Sequence, residues 1–446
     1  MVAMRFTPFP FPTLKRNPKI KIKMGYLAHF IIPIFHLSMS ISHAQPNYDE
    51  RQVPQFTVPD PLKAFDGTKV DHVREWTGKR RPELLQFFTD EVYGRVPKEI
   101  ALNSTVLLEQ NDNALGGKAL RQQVDLVFKE GNKSLNITLL LYLPKQSSNA
   151  PIFLGYNFYG NHTVTYDPAV LISTAWARDN NELGIKGHKL TDASRGANTH
   201  RWPIEKIIDA GYGLATLYYG EVDPDKNDLS DGIQALSYPP GQLSPKDNEW
   251  GSIAAWAWGM GKVLDFLEGN NGTRNSKVIA FGHSRLGKAA LWAAANDQRF
   301  AAVISNNSGC GGAALSKRKF GETVAVINRN FPHWFCNNFR AYDNNEEALM
   351  ADQHQLLALI APRPLYVASA AEDLWADPKG EFLSAYYAGT VYRLYGETGI
   401  PTAKMPKNNT PVHGTVAYHI RTGKHDVTEY DWEQYLEWAD GYVTNR

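Results

Sequence analysis

The segment from Ser276 to Asn296 constrains this chain more than any other. Ser276-Lys-Val-Ile-Ala280 is apolar and β-rich. Phe281-Gly-His-Ser-Arg-Leu-Gly-Lys288 is a glycine-flanked turn, and Ala289-Ala-Leu-Trp-Ala-Ala-Ala-Asn296 is dense in helix formers. Strand, sharp turn with a central serine, then helix is the pattern of a nucleophile elbow. The glycines let the backbone turn tightly, so the Ser284 oxygen is expected at the end of a sheet with a helix N-terminus behind it. A serine there can attack an acyl carbon once a histidine removes its proton. The match to G-x-S-x-G is imperfect, because Leu286 holds the second glycine's place and Gly287 comes one residue late. Taken alone, the segment also fits a strand–turn–helix with an incidental serine.

The surrounding chain says what sheet this turn would join. Three apolar-alternating runs, 105–109, 120–128 and 135–143, are separated by Asn111-Asp-Asn-Ala-Leu-Gly-Gly117 and Gly131-Asn-Lys133, which predicts an antiparallel meander. Strands are then expected at 151–156, 212–218, 277–281, 300–305 and 363–368. Helices are expected at 81–93, 204–210, 250–269 and 429–442. A meander leading into alternating strands and helices predicts a mostly parallel central sheet covered on both faces. The segments 157–202 and 220–248 follow strand ends and resist assignment. Long irregular segments at the carboxyl edge of such a sheet are expected to lie over the site.

Charge bears on partners. The chain has 47 Lys and Arg against 46 Asp and Glu. Residues 1–44 hold six of the basic residues and no acidic one, which leaves 41 against 46, a net −5, for the remainder. A mildly acidic domain without basic runs argues against nucleic-acid binding. The N-terminus reads as an export signal: a basic stretch Lys19-Ile-Lys-Ile-Lys23, an apolar run Gly25 to Ile41, and a Ser42-His-Ala44 cleavage site before Gln45. Met24 is an alternative start. The apolar run is short and broken by His29, Pro33 and His36, so a cleaved signal is expected rather than a membrane anchor. The organisation expected is a signal peptide at 1–44, a lead-in at 45–75 and one domain at 76–446, secreted or periplasmic and monomeric. The two cysteines, Cys310 and Cys336, are too few for a zinc site without clustered His and form a candidate bridge.

An α/β-hydrolase, a three-layer sandwich with an elbow serine, calls for an acid after a late strand and a histidine near the C-terminus. Both are present. Ala371-Glu-Asp-Leu-Trp-Ala-Asp377 follows the strand 363–368, and Gly423-Lys-His-Asp-Val-Thr428 precedes the last helix. His425 is the candidate base. The acid is one of Glu372, Asp373 and Asp377.

These residues belong to a wider set. Gly282-His-Ser-Arg-Leu-Gly-Lys288, Ser305-Asn-Asn-Ser-Gly-Cys-Gly-Gly-Ala-Ala314, Phe331-Pro-His-Trp-Phe335, Asp352-Gln-His354, Ala361-Pro-Arg-Pro364, Trp375-Ala-Asp-Pro378 and Tyr418-His-Ile-Arg-Thr-Gly-Lys-His-Asp-Val-Thr428 resemble the bacterial glucuronoyl esterases of carbohydrate esterase family fifteen over roughly residues 75–442. The resemblance implies hydrolysis of the ester between 4-O-methyl-glucuronic acid on xylan and an alcohol of lignin, with glucuronoxylan and lignin–carbohydrate esters as partners and without a metal or cofactor. It implies Ser284 as nucleophile, His425 as base and Asp373 as acid. Arg285 would hold the oxyanion through its backbone N–H and guanidinium, while Lys288, Glu322 and Trp375 would bind the sugar. His200 and Trp202 would line the site from the first long segment, and Tyr156–Gly160 lies where a second oxyanion donor is often found. Asn307 departs from the fungal pattern, which has a catalytic Glu there; an amide cannot ionise. The fungal disulfide is also missing, since its positions fall on His283 and Asp426. The same scaffold would serve another polysaccharide esterase, such as an acetyl xylan esterase, or a non-catalytic carbohydrate-binding relative.

Overall fold

A computed structural model of the chain describes residues 46–147, 149–242 and 244–444. The proposed signal segment, 1–44, lies outside the described residues. Nine strands form one sheet: β1 (Leu102–Ala114), β2 (Ala119–Glu130), β3 (Lys133–Pro144), β4 (Ile152–Asn157), β5 (Gly213–Tyr218), β6 (Val278–His283), β7 (Ala302–Asn306), β8 (Leu365–Ala370) and β9 (Val416–Arg421). Their order is β1-β2-β3-β5-β4-β6-β7-β8-β9. The first three strands make the expected antiparallel meander and join β5 antiparallel; from β5 to β9 every pair is parallel. The sequence reading missed β9. Its six residues are all buried, including His419 and Arg421, which alternate with Tyr418 and Ile420.

Strand periodicity divides the core in two. Val278 and Ala280 of β6 face one cluster, with Trp76, Trp256 and the helix Arg285–Asn296; Ile279 and Phe281 face the other, with Trp432, Tyr435 and Trp438 of the helix Glu429–Ala439. The helices Ser252–Gly269 and Pro378–Leu394 complete the first layer. Among the described residues, no helix is long and apolar enough to cross a membrane. The lead-in is tied to the domain: His354 Nε2 is 2.7 Å from the Pro59 carbonyl, and Glu50 pairs with Arg318 and Lys379. Cys310 and Cys336 are free, buried thiols, so the candidate bridge is not formed.

Candidate active site

The elbow is built as its sequence suggests, with one refinement. Ser284 lies between β6 and its helix at φ 59° and ψ −132°, a strained conformation for a residue with a Cβ. A Cβ at position 282 would lie 2.0 Å from the Leu286 carbonyl oxygen, so that glycine is obligatory. The late glycine is also needed, since a Cβ at 287 would press on Gly282 O and Ser308 Cβ, both at 3.0 Å. The departure from G-x-S-x-G therefore moves the second close contact by one residue and keeps the turn.

Ser284 opens into a cavity of about 340 Å³ lined by Arg285, Lys288, Asn307, Ser308, Gly309, Glu322, Phe331, Trp334, Asp373, Trp375, Ala376 and His425. The loop after β9 brings in His425, and the loop after β8 brings in Asp373. His425 Nδ1 is 2.6 Å from Asp373 Oδ2, which also accepts a 2.8 Å hydrogen bond from Asn307 Nδ2. Burial pushes the Asp373 carboxyl up, but the hydrogen bond and charge of His425, with the Asn307 amide, more than offset this and hold it below the usual carboxylate value. Of the three acids near this turn, only Asp373 reaches His425. Glu372 is exposed, and Asp377 pairs with Arg318 at 2.9 Å and caps the helix Pro378–Leu394 through Gly380 N. Asn307, at φ 47°, stands beside the acid as a donor.

The other predicted residues divide. Lys288, Glu322 and Trp375 line the cavity, but Lys288 Nζ already donates to the Ser308 and Cys310 carbonyls at 2.6 Å each and lies 3.8 Å from Glu322. Burial lowers the Lys288 pKa and raises that of Glu322, each toward its neutral form. Arg285 donates through Nη1 to Asp225 and lies 4.7 Å from the Trp334 ring centroid. His200 is not in the cavity wall; its Nε2 is 3.5 Å from Asp426. Trp202 is a correction. It is buried beneath the sheet, edge-on to Phe281, because its ring is large and apolar enough to complete that core layer. Nor do the two long segments wall the cavity. Much of the wall comes instead from residues 307–334, where the sequence offered the motifs at 305–314 and 331–335 and Glu322 but no assigned secondary structure. Asp225, His333 and Trp334 were missed as a group; only their convergence in space links them.

A mostly parallel sheet with its elbow serine at the carboxyl edge is the architecture of the α/β-hydrolases. A family model for "Glucuronyl esterase, fungi" matches residues 241–396. The carbohydrate esterase MZ0003, from an unknown prokaryotic organism, is 49% identical over 409 residues, spanning 90% of this chain and 94% of that protein. A solved CE15 esterase from a marine bacterial metagenome, described as promiscuous, superposes with a TM-score of 0.83 at 49% identity, over 89% of this chain and 100% of that one. The glucuronoyl esterase of Solibacter usitatus superposes with a TM-score of 0.82 at 45% identity, over 88% and 99%. The chain belongs to carbohydrate esterase family 15, the glucuronoyl esterases, and is a carboxylic ester hydrolase.

Proposed function

We propose that this protein is a secreted serine esterase that cleaves esters of 4-O-methyl-glucuronic acid, the lignin–xylan cross-links, through an acyl-enzyme. Ser284 Oγ attacks the ester carbonyl while His425 Nε2 takes its proton. Nδ1–H of His425 donates to Asp373, whose negative charge offsets the imidazolium. The guanidinium and backbone N–H of Arg285 meet the negative charge that gathers on the carbonyl oxygen. His425 returns the proton to the departing alcohol, and a water molecule then repeats the attack to free the acid. Lys288, Glu322 and Trp375 offer hydrogen bonds and an apolar edge to the sugar.

The observation that carries this reading is the 2.6 Å contact between His425 and Asp373 on the wall of the cavity that holds Ser284. The names of the relatives support the glucuronoyl substrate. The promiscuity named for one relative favours a second reading, in which acetyl esters of xylan are also cleaved at this site. A panel of benzyl glucuronate and acetylated xylan tests both. Turnover of the glucuronate ester is expected to be the faster, and failure to turn it over would overturn the proposal. Export is tested by N-terminal sequencing of the protein recovered outside the cytoplasm, with Gln45 expected first.

A further inference from the structure

Asp225 lies on the long segment between β5 and the helix Ser252–Gly269, where no sequence motif marks it. It is 2% exposed, yet its carboxylate is crowded with donors. Oδ1 accepts from His333 Nε2 and Trp334 Nε1, each at 2.8 Å. Oδ2 accepts from Arg285 Nη1 and, at 3.3 Å, from the Tyr219 hydroxyl, with the Arg178 guanidinium 3.8 Å away. Burial alone would raise its pKa, but the His333 hydrogen bond and the Arg285 charge hold it well below the usual carboxylate range. Three rings enclose the Arg285 guanidinium on its other sides: Trp334 at 4.7 Å, Phe331 at 5.6 Å and Phe158 at 5.8 Å. Among the described residues, Arg285 Nε is buried without a partner.

An arginine on a long flexible arm stabilises a developing charge best when it is fixed before the charge appears, because no reorganisation is then needed at the moment of reaction. We propose that Asp225, itself held by His333 and Trp334, is the positioning residue for Arg285. By taking Nη1 it turns the rest of the guanidinium toward the carbonyl oxygen of an ester bound at Ser284. This rests on the esterase reading of the cavity. An interaction that matters only as charge develops appears in kcat rather than KM.

The test is a double-mutant cycle on benzyl glucuronate. Asp225→Asn is expected to lower kcat by about 10- to 100-fold with KM within about threefold, on the scale of losing one oxyanion donor. In an Arg285→Met background the same change should leave kcat within about twofold, because there is no guanidinium left to position. His333→Gln should show the same coupling on a smaller scale, about three- to tenfold, and decides the matter if Asp225→Asn does not fold. Equal losses in both backgrounds, or an unchanged kcat in the Arg285 protein, would overturn the proposal. Ser284→Ala, measured alongside, reports on the esterase reading itself. Full activity in that variant would remove both proposals, whereas a silent Asp225→Asn in a protein that depends on Ser284 removes this one alone.

Discussion

Two histidines six residues apart, His419 and His425, each meet an aspartate, and the two pairs have different chemistry. His425 and Asp373 meet at 2.6 Å on the wall of the cavity that holds Ser284. His419 and Asp431 meet at 2.9 Å, both fully buried. Asp431 is also fully engaged: it accepts from Arg421 Nε at 2.8 Å, from the backbone and hydroxyl of Thr428 at 2.7 Å each, and from Asn306 Nδ2 at 3.3 Å. The Tyr366 hydroxyl occupies the other ring nitrogen of His419, at 2.9 Å from Nδ1. A base needs a free nitrogen facing a substrate, and His419 has none. The inner pair nevertheless serves the outer one. Arg421, fixed by Asp431, reaches the carbonyls of Thr422, Lys424 and Asp426 at 2.6–3.0 Å, and so shapes the loop that carries His425.

Substitutions should separate the two pairs. The largest loss is expected for Ser284→Ala, on the order of 10⁴-fold or more in kcat, because only the outer pair has a nucleophile to activate. Near-native turnover would end the distinction. Asp373→Asn should follow, with a loss on the order of 10³- to 10⁴-fold and little change in melting temperature, since it removes the charge that compensates the imidazolium. Asp431→Asn should do the reverse, costing about 3–5 kcal/mol in denaturant unfolding as a broken buried pair, with a smaller effect on kcat. If activity fell further than stability in that variant, the inner pair would have a chemical role. Asn307→Ala should lower kcat/KM by about three- to tenfold, because it removes one hydrogen bond to Asp373 and leaves the charge in place.

The smallest effect concerns pH and stability. Burial pushes Glu381, beneath the cavity, up to about 8, where it accepts from Ser369 Oγ and Gly309 N. A carboxyl raised on folding stabilises fully below its unfolded pKa of about 4.3, and that contribution is lost as pH rises toward 8. Asp431 has the opposite sign. Burial would raise it, but His419 and Arg421 hold it low, so its contribution is present at neutral pH and lost as pH falls into the acid range. The melting temperature of the native protein should therefore fall relative to that of Glu381→Gln between about pH 5 and pH 8, with the acid limb shared by both. An unchanged slope would mean that Glu381 does not titrate in this window.

Residue pattern and chain order were enough for most of the sheet's plan, for two of the candidate trio and for the region of the third. Three alternating runs specified the meander because side chains alternate across a pleated strand, as Val278 and Ile279 still show by facing opposite cores. The elbow was legible because tight turns require glycine, and chain order picked out His425 and the region of Asp373. Pattern alone left Glu372, Asp373 and Asp377 open on one short turn; the family resemblance pointed to Asp373, and side-chain direction in the folded molecule gives the physical reason. Folding also recruited Asn307 as a donor, sent Trp202 into the core and gave much of the cavity wall to residues 307–334. Asp225 and Arg285 are 60 residues apart, and neither carries a local periodicity that foretells the other. Local propensity acts over a few residues, whereas a polar contact of this kind exists only after the sheet has brought distant loops to one edge.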